Sequence, residues 1–282
     1  MAIDLHTHSL ASDGTGTPGQ VVQEAVAAGL DTIALTDHDT TLGWDEAVVA
    51  AQATGLTLVR GIEISCARAG RSIHLLGYLT DPGAPELVAE LARARESRVT
   101  RLDRIVERMS ADGIPITVAE VRAQVGEGAT FGRPHIADAL VAAGVVPTRD
   151  EAFARWLHND SPYYVSHYAP DPVRAVEVVR AAGGVAVVAH AWSGTRGKVI
   201  PDAWLEEFAA AGLAGLEVDH PDHDAAARSH LGEVVTSLGL VRTGSSDYHG
   251  TGKLNRLGED TTSVGALEAL EAQASGVEVV RP

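Results

Sequence analysis

The stretch Met1-Ala-Ile-Asp-Leu-His-Thr-His8 opens this chain of 282 residues and decides the fold that we expect of it. Its apolar first half predicts a short strand, and this strand ends in two histidines, His6 and His8. Side chains two positions apart in a strand point to the same side, so both imidazoles face one point. Because converging imidazoles are typical metal ligands, the stretch predicts the first wall of a metal cluster.

Further apolar runs predict more strands, and Ala-rich stretches such as residues 18–28 and 45–53 predict helices between most of them. Thr17-Pro18 and Asp171-Pro172 are typical helix starts. The alternation favours an α/β protein with a parallel sheet or barrel, whose functional residues lie at the carboxyl ends of the strands. The predicted strands are residues 2–5, 32–35, 56–59, 73–79, 185–189, 213–218 and 240–243.

Residues 81–167 interrupt this alternation, because the pattern there predicts helices and few strands. Pro82-Gly83-Ala84-Pro85 opens the segment and Tyr168-Ala-Pro-Asp-Pro172 follows it. We interpret it as a helical insertion between the fourth and fifth strands. The chain then divides into residues 1–80 and 168–282, which form the barrel, and residues 81–167, the helical insertion. The helices predicted in the insertion are residues 85–111, 118–125, 133–143 and 149–157.

The composition limits the classes of partner. A single cysteine, Cys66, excludes an internal disulfide and favours a reducing compartment. No apolar run is long enough to span a bilayer and no signal peptide is evident, so we expect a cytoplasmic protein without a membrane partner. The net charge of −16 argues against binding to long duplex nucleic acid. A small anionic substrate is compatible with this charge, since bound divalent cations reverse the local field.

Polar residues with metal-binding side chains follow the ends of the predicted strands or, in the fourth strand, lie within it. A lone histidine in a loop is usually exposed or hydrogen-bonded and nothing more. Several such residues at the same end of successive strands instead favour one shared site. The candidates are His6, His8, Asp13, His38, Glu63, His74, His190, Asp247 and His249.

In their order along the chain, these motifs resemble those of the polymerase-and-histidinol-phosphatase (PHP) superfamily. A second motif, Phe131-Gly-Arg-Pro-His-Ile-Ala137, resembles more particularly the stand-alone bacterial phosphoesterases that act on 3′,5′-nucleoside bisphosphates and short oligoribonucleotides. Ala191 departs from the pattern, because related sequences often carry proline after the histidine. The motifs that carry the resemblance, over nearly the whole chain, are His6-Thr7-His8, Thr36-Asp37-His38, Gly61-Ile62-Glu63, His74, His190 and Asp247-Tyr248-His249.

The resemblance implies a distorted (β/α)7 barrel of seven strands that carries the helical insertion and holds three divalent metal ions. Its donors are imidazoles and carboxylates without cysteine, which suit manganese, the expected metal, or iron or zinc. The implied ligand sets are His6, His8, Glu63 and Asp247 for the first metal, Glu63, His74 and His190 for the second, and Asp13, His38 and His249 for the third.

Glu63, which would bridge two metals, and Asp247 are the expected catalytic residues. Two metals that share a water lower its pKa, so hydroxide would be available near neutral pH to attack phosphorus. Nearby arginines would offset the charge on the phosphoryl oxygens. The expected reaction is hydrolysis of 3′,5′-nucleoside bisphosphates to 5′-monophosphates.

Several alternatives stay open. Within phosphoesterases, they are a 5′-3′ exonuclease that acts on short 5′-phosphorylated oligoribonucleotides and a phosphatase of the histidinol-phosphate type. From other classes, they are an amidohydrolase and a non-catalytic PHP domain. Many binuclear amidohydrolases use a lysine on a barrel strand to bridge their metals, whereas Lys198 and Lys253 are both predicted in loops.

Arginines of the helical insertion are candidate contacts for a substrate phosphate. Arg133 and His135 begin a predicted helix, whose N-terminus also favours anions. In the helix predicted at residues 85–111, Arg98 lies at the centre of an apolar stripe and Arg101 flanks it. A buried lone charge is costly, so Arg98 needs either an internal carboxylate or an incoming phosphate as its partner.

Other cationic and imidazole side chains have less definite roles. His220 and His223 follow the sixth predicted strand, where they could hydrogen-bond the substrate or protonate the leaving group. Lys253 follows His249 and is interpreted as an exposed loop lysine that could reach a phosphate. We interpret the remaining three histidines as structural or exposed: His158, His167 and His230.

Overall fold

The computed structural model describes residues 1–192 and 199–282. In these residues seven strands form one sheet in chain order. Thr7, at the end of the first strand, forms a parallel bridge with Tyr248 just beyond the last strand, so the sheet nearly closes into a barrel. The expected seven-stranded α/β barrel is confirmed. The strands are β1 (Ile3–Thr7), β2 (Thr32–Leu35), β3 (Thr57–Arg68), β4 (Arg71–Tyr78), β5 (Val185–Val188), β6 (Gly215–Asp219) and β7 (Val241–Gly244).

Helices surround the sheet and begin where the sequence places capping residues. Thr17 accepts a hydrogen bond from the backbone N–H of Gln20, and Asp171 accepts one from Val173. Among the described residues, none of the helices combines the length and apolarity that crossing a lipid bilayer requires. The helices are α1 (Pro18–Ala27), α2 (Trp44–Thr54), α3 (Pro85–Ala111), α4 (Val118–Arg122), α5 (Arg133–Ala142), α6 (Arg149–Ala152), α7 (Pro172–Ala181), α8 (Asp202–Ala211), α9 (Ala225–Leu238) and α10 (Val264–Glu271), with a π-helical turn at Phe153–Leu157 and a 3₁₀ turn at Gly250–Gly252.

The direction of β4 differs from the expected parallel arrangement, since β4 runs antiparallel to both β3 and β5. The reason lies in a tight turn. Arg68 pairs with Arg71, which leaves Ala69-Gly70 as a two-residue hairpin loop with φ angles of 49° and 74°. Positive φ at both positions matches the twist of a two-residue hairpin, and such a hairpin joins antiparallel strands. The reversal brings the first half of β4, which carries His74, to the edge where the parallel strands end.

The segment predicted as the helical insertion folds into α3 to α6 and the π-helical turn. Its apolar side chains, including Leu102, Ile105 and Leu140, form a hydrophobic cluster within the segment. Leu87 and Leu91, at the start of α3, pack instead with the helices and strands of the barrel. The helix therefore links two hydrophobic clusters, and the division of the chain into domains at residues 81 and 167 stays a prediction.

Candidate metal centre and substrate cavity

His6 and His8 converge as their spacing in the first strand predicts. Their Nε2 atoms lie 3.0 Å apart. Oε2 of Glu63 lies 3.3 Å from His6 Nε2 and 3.0 Å from His8 Nε2. Oδ1 of Asp247 lies 3.4 Å from both. These four buried side chains therefore offer converging donors suited to a metal ion.

Glu63, near the middle of β3, holds the centre of the cluster. Its Oε1 lies 2.6 Å from His74 Nδ1 and 3.1 Å from His190 Nε2. Its Oε2 lies 3.2 Å from His38 Nδ1. One carboxylate thus faces five imidazoles from four segments of the chain, which is the position of a bridging ligand.

A third group forms around Asp13, in the loop after β1. Its Oδ1 lies 3.2 Å from His249 Nε2, and its Oδ2 lies 3.8 Å from His38 Nε2. Nδ1 of His8 is 3.8 Å from the same carboxylate. His8 and His38 thus each belong to two of the three groups of candidate ligands, whereas the ligand sets expected from the sequence assigned each to a single metal.

Two of the candidate ligands have strained backbones. His190, directly after β5, has a φ of 30°, and Asp247, after β7, has a φ of 55°. Positive φ is uncommon for residues other than glycine, and it persists only where the surroundings enforce it. At both positions the backbone turns sharply after the strand, and the side chain is aimed at the cluster.

Glu217, on β6, belongs to the cluster but was missed by the sequence analysis. Its Oε1 lies 3.2 Å from His6 Nδ1, and its Oε2 accepts a hydrogen bond of 2.7 Å from the backbone N–H of His190. The hydroxyl of Ser245 donates to Oε1 as well. The available signal was a lone acidic residue within an apolar strand, because a charge there needs buried partners. Glu217 thus holds two candidate ligands, His6 and His190, in position, as outer carboxylates do in metal sites.

The carboxylates control the protonation of the imidazoles. Burial opposes the charged form of His6, but Glu63, Asp247 and Glu217 outweigh it and raise its pKa well above the usual value. The pKa of His8 is raised to about 9, since its hydrogen bonds to Asp247 and Glu63 outweigh the effect of burial. For Glu63, the neighbouring imidazoles outweigh burial and hold its pKa well below the usual range. The cluster is therefore a set of buried anions that need cations.

The donor set fits divalent metal ions. His38 Nδ1 and His249 Nε2 are buried and make no hydrogen bond within the described residues, although carboxylate oxygens lie 3.2 Å from each. An imidazole nitrogen that lies close to a carboxylate oxygen without a hydrogen bond between them is suited to binding a metal ion together with that oxygen. Imidazole and carboxylate donors without thiolate are typical of manganese, iron and zinc sites.

A cavity of about 660 Å³ is lined both by candidate ligands such as His74 and His249 and by arginines of the helical insertion. Arg98 donates from Nε to Asp39 Oδ2 at 2.9 Å and from Nη2 to Ser65 Oγ at 2.5 Å. Of the two partners expected for Arg98, the structure shows the internal carboxylate. A direct contact between Arg98 and the substrate stays a prediction.

Arg101 and Arg133 have neutral partners only, within the described residues. Arg101 donates from Nε to the carbonyl of Val165 at 2.7 Å. Arg133 donates from Nη1 to the carbonyl of Leu157 at 2.6 Å and to Oδ1 of Asn159 at 2.9 Å. Burial, together with the other arginines, lowers the pKa of Arg101 to about 9, and burial lowers that of Arg133. These two guanidiniums give one side of the cavity an excess of positive charge.

His135, expected beside Arg133 as a substrate contact, is buried at the start of α5. Its Nδ1 accepts a hydrogen bond of 3.1 Å from the backbone N–H of Gly132, so the imidazole caps the helix. This leaves Nε2 as the nitrogen that carries a proton in the neutral ring. A substrate contact of His135 stays a prediction.

The residues with open roles divide between the centre and its surroundings. Nζ of Lys253 lies 2.9 Å from Asp247 Oδ2, so this lysine reaches the cluster itself. His220 is buried with its Nε2 3.8 Å from the same oxygen. His223 accepts a hydrogen bond from the backbone of Trp192, which is a structural role. Lys198 lies outside the described residues.

Of the histidines interpreted as structural or exposed, His230 pairs with Asp202 at 2.9 Å on the surface. His158 and His167 instead line the cavity. The sequence carried no signal for this, because both lie in an irregular stretch after the π-helical turn.

Comparison with known proteins identifies relatives across most of the chain. Residues 4–122 match the family model of the PHP domain. The chain is 33% identical over 254 residues to the 3′,5′-nucleoside bisphosphate phosphatase of Chromobacterium violaceum, covering 90% of this chain and 89% of that protein. It is 34% identical over 247 residues to the 5′-3′ exoribonuclease of Haemophilus influenzae, covering 87% and 89%. A crystal structure from Bifidobacterium adolescentis, described as a metal-dependent phosphoesterase, matches with a TM-score of 0.94 at 42% identity and covers 97% of this chain and 96% of that one.

Proposed function

Because the chain belongs to the PHP family and is a phosphoesterase, we propose that its substrates are 3′,5′-nucleoside bisphosphates, which it hydrolyses to 5′-monophosphates. The observation that carries the proposal is the position of Arg101 and Arg133. These cations line the same cavity as the candidate metal ligands and have neutral partners among the described residues. A substrate with two phosphates would place one at the ligand cluster and the other against the arginines.

The proposed metal content is three divalent ions, with manganese as the expected metal and iron or zinc as alternatives. When bound, such ions act as Lewis acids and lower the pKa of water, which supplies a nucleophile for phosphoryl transfer. The donor types and their convergence support this content. The proposed ligand sets are His6, His8, Glu63 and Asp247; Glu63, His74 and His190; and Asp13, His38 and His249.

The roles proposed for the chain's own residues follow from their positions. Glu63 faces five imidazoles of the cluster, so its carboxylate fixes the relative positions of these candidate ligands. Asp247 completes the group formed with His6 and His8. Lys253, beside Asp247, offers a further cation to the phosphoryl oxygens, where preorganised positive charge stabilises the transition state.

For the second phosphate we propose Arg133 and Arg101 as the direct contacts, with His135 at the start of α5 beside them. A guanidinium binds phosphate in a charge-assisted and often bidentate manner. Arg98 is assigned the supporting role that its pairing with Asp39 favours. The cavity of about 660 Å³ has the volume typical of sites for small molecules, which supports a single nucleotide as occupant.

A second candidate function is 5′-3′ exonuclease activity on short 5′-phosphorylated oligoribonucleotides. It is favoured by the similarity to the exoribonuclease and by the wall of arginines, since both reactions cleave an ester of a 5′-phosphorylated nucleotide. The net charge of −16 supports small or short substrates over long duplexes. We also propose a cytoplasmic location, supported by the one buried, free cysteine.

The test is a phosphate-release screen with the manganese-loaded enzyme. It compares adenosine 3′,5′-bisphosphate, 5′-phosphorylated di- to pentaribonucleotides, histidinol phosphate and an aryl phosphate. We expect the highest kcat/KM on the bisphosphate, with slower hydrolysis of the short RNAs. Equal or higher kcat/KM on histidinol phosphate would overturn the proposed substrate.

A further inference from the structure

His167 lies in the stretch between the π-helical turn and α7, and side chains of α3 hold this stretch in place. Arg101 donates to the carbonyl of Val165 at 2.7 Å, and Ser97 Oγ donates to the carbonyl of Tyr168 at 3.3 Å. These bonds fix the backbone two residues before His167 and one residue after it. The backbone that carries His167 is therefore held by α3 before any ligand arrives.

The ring lines the substrate cavity together with His74, Arg98, Arg101 and Arg133. Its Nε2 is buried and makes no hydrogen bond within the described residues. Burial of a polar nitrogen without a partner destabilises the free protein. A ligand that enters the cavity and bonds to this nitrogen would remove that cost.

The charges around His167 indicate what kind of ligand fits. Burial, and then Arg98, Arg101 and Arg133, lower the pKa of His167 to about 2, so the imidazole is neutral and adds no charge of its own to the cavity. A neutral imidazole can donate one N–H. Together with Arg101 and Arg133, this makes a site with several donors and excess positive charge, which suits a phosphate and repels a cation.

We propose that His167 donates a hydrogen bond from Nε2 to the substrate phosphate held by Arg101 and Arg133, and so selects substrates that carry a second phosphate. This inference rests on the proposed function and adds to it a specificity-determining residue. It requires no proton transfer by His167, because a neutral imidazole already carries one N–H that it can donate. The imidazole acts on the phosphate that is not hydrolysed.

The decisive variants differ in where they place a donor. His167→Gln keeps an amide N–H near the position of Nε2, His167→Asn moves it towards the position of Nδ1, and His167→Leu removes it. We expect His167→Leu and His167→Asn to raise KM for adenosine 3′,5′-bisphosphate about tenfold or more, the value of one charge-assisted hydrogen bond. His167→Gln should recover most of the loss. kcat/KM on the aryl phosphate should change less than about twofold, since that substrate has no second phosphate.

A binding measurement keeps the test independent of turnover. Calorimetry of adenosine 5′-monophosphate with the metal-free protein should show the same order, with wild type and His167→Gln binding more tightly than the Asn and Leu variants. His230→Leu is the matched control, because His230 lies at the surface against Asp202. It should leave KM, affinity and melting temperature unchanged.

Two failures are distinguishable. In the first, wild type hydrolyses the bisphosphate, but His167→Leu lowers kcat/KM equally on the bisphosphate and the aryl phosphate, or lowers neither. The role proposed for His167 is then wrong and the proposed function stands. If wild type does not prefer the bisphosphate, the proposed function fails. The affinities of wild type and the His167 variants for adenosine 5′-monophosphate then still decide whether His167 binds a phosphate. Equal affinities for all of them would refute the role of His167.

Discussion

Arg98 donates its Nε–H to Oδ2 of Asp39 at 2.9 Å, and this buried pair connects the helical insertion to the loop that carries His38. The other oxygen of Asp39 accepts a hydrogen bond of 2.9 Å from the backbone of Ser65, two residues after Glu63. One ion pair thus joins α3 to two segments of the candidate metal centre. Arg98, for which the sequence left open an internal carboxylate or a substrate phosphate as partner, thus holds the ligand loops in place through Asp39.

Arg98→Met should destabilise the fold, because it leaves the Asp39 carboxylate buried without its cation. Loss of one partner of a buried pair costs about 3–5 kcal/mol. Combining Arg98→Met with Asp39→Asn should restore part of the stability, since the stranded charge is gone. The measurement is denaturant unfolding of the metal-free proteins. Arg104→Met, at an exposed position on the same helix, is the control, and equal stability of Arg98→Met and this control would contradict the structural role.

Glu63→Gln should abolish most activity and lower the bound metal, because this carboxylate faces five imidazoles from four segments of the chain. His249→Gln should cost less, since His249 contributes to one group of ligands. Metal content and kcat/KM on the bisphosphate measure the difference. The exposed Glu206→Gln on α8 controls for the change of charge. If Glu63→Gln retained full metal content, its bridging position would carry no function.

Glu217→Gln tests a residue that contacts the candidate ligands His6 and His190 without belonging to the proposed ligand sets. An amide in place of the carboxylate turns an N–H towards either His6 or the backbone N–H of His190, so one of these bonds is lost. Replacement of such outer partners lowers metal affinity by about 10–100-fold. Competition with a fluorescent chelator measures this affinity, and Glu233→Gln, exposed on α9, is the control. An unchanged affinity would show that Glu217 acts on packing alone.

Arg133→Met should raise KM for the bisphosphate by roughly tenfold to a hundredfold, the value of a charge-assisted contact with phosphate. The aryl phosphate should be affected much less. Arg155→Met, at a half-exposed position on the neighbouring π-helical turn, is the control. Equal losses on the two substrates, with a lowered melting temperature, would mean that Arg133 only holds the insertion together.

Metal binding should release protons at neutral pH. In the metal-free protein the pKa of His8 is about 9, above its usual 6.5, so at pH 7 the imidazole is protonated. A metal ion must displace this proton, and apparent affinity should therefore rise as the pH increases from 7 towards 9, by up to about tenfold per pH unit for one proton. Calorimetry in two buffers with different heats of ionisation counts the protons. Heats that do not depend on the buffer would contradict the prediction.

The sequence predicted the barrel from its alternation of strands and helices, and it predicted the convergence of His6 and His8 from strand periodicity. β2 was predicted at residues 32–35 and lies there, and the pair His6 and His8 converges because alternate residues share a face. The direction of β4 was wrong because the turn at Ala69-Gly70 was not recognised. A short loop between two strands, with a glycine at its end, was the signal that could have shown it.

Other features depend on tertiary contacts that no local pattern records. Glu217 lies in the middle of an apolar strand, and only the barrel brings it to His6. The partner of Arg98 follows from the approach of α3 to the loop after β2, 59 residues away. His167 lies in irregular chain, where periodicity says nothing about which side chains face a cavity.

The nine candidate ligands lie in residues 1–80 and 168–282, whereas Arg101, Arg133 and His167 belong to the helical insertion between β4 and β5. In the proposed assignment, bond cleavage and substrate choice are thus encoded in separate stretches of the gene. Divergence after duplication can then alter which phosphoester is accepted while the hydrolytic centre is inherited intact. Among descendants of one ancestor, we expect changes of specificity to accumulate between β4 and β5, and exchange of that stretch between relatives to transfer preference without loss of turnover.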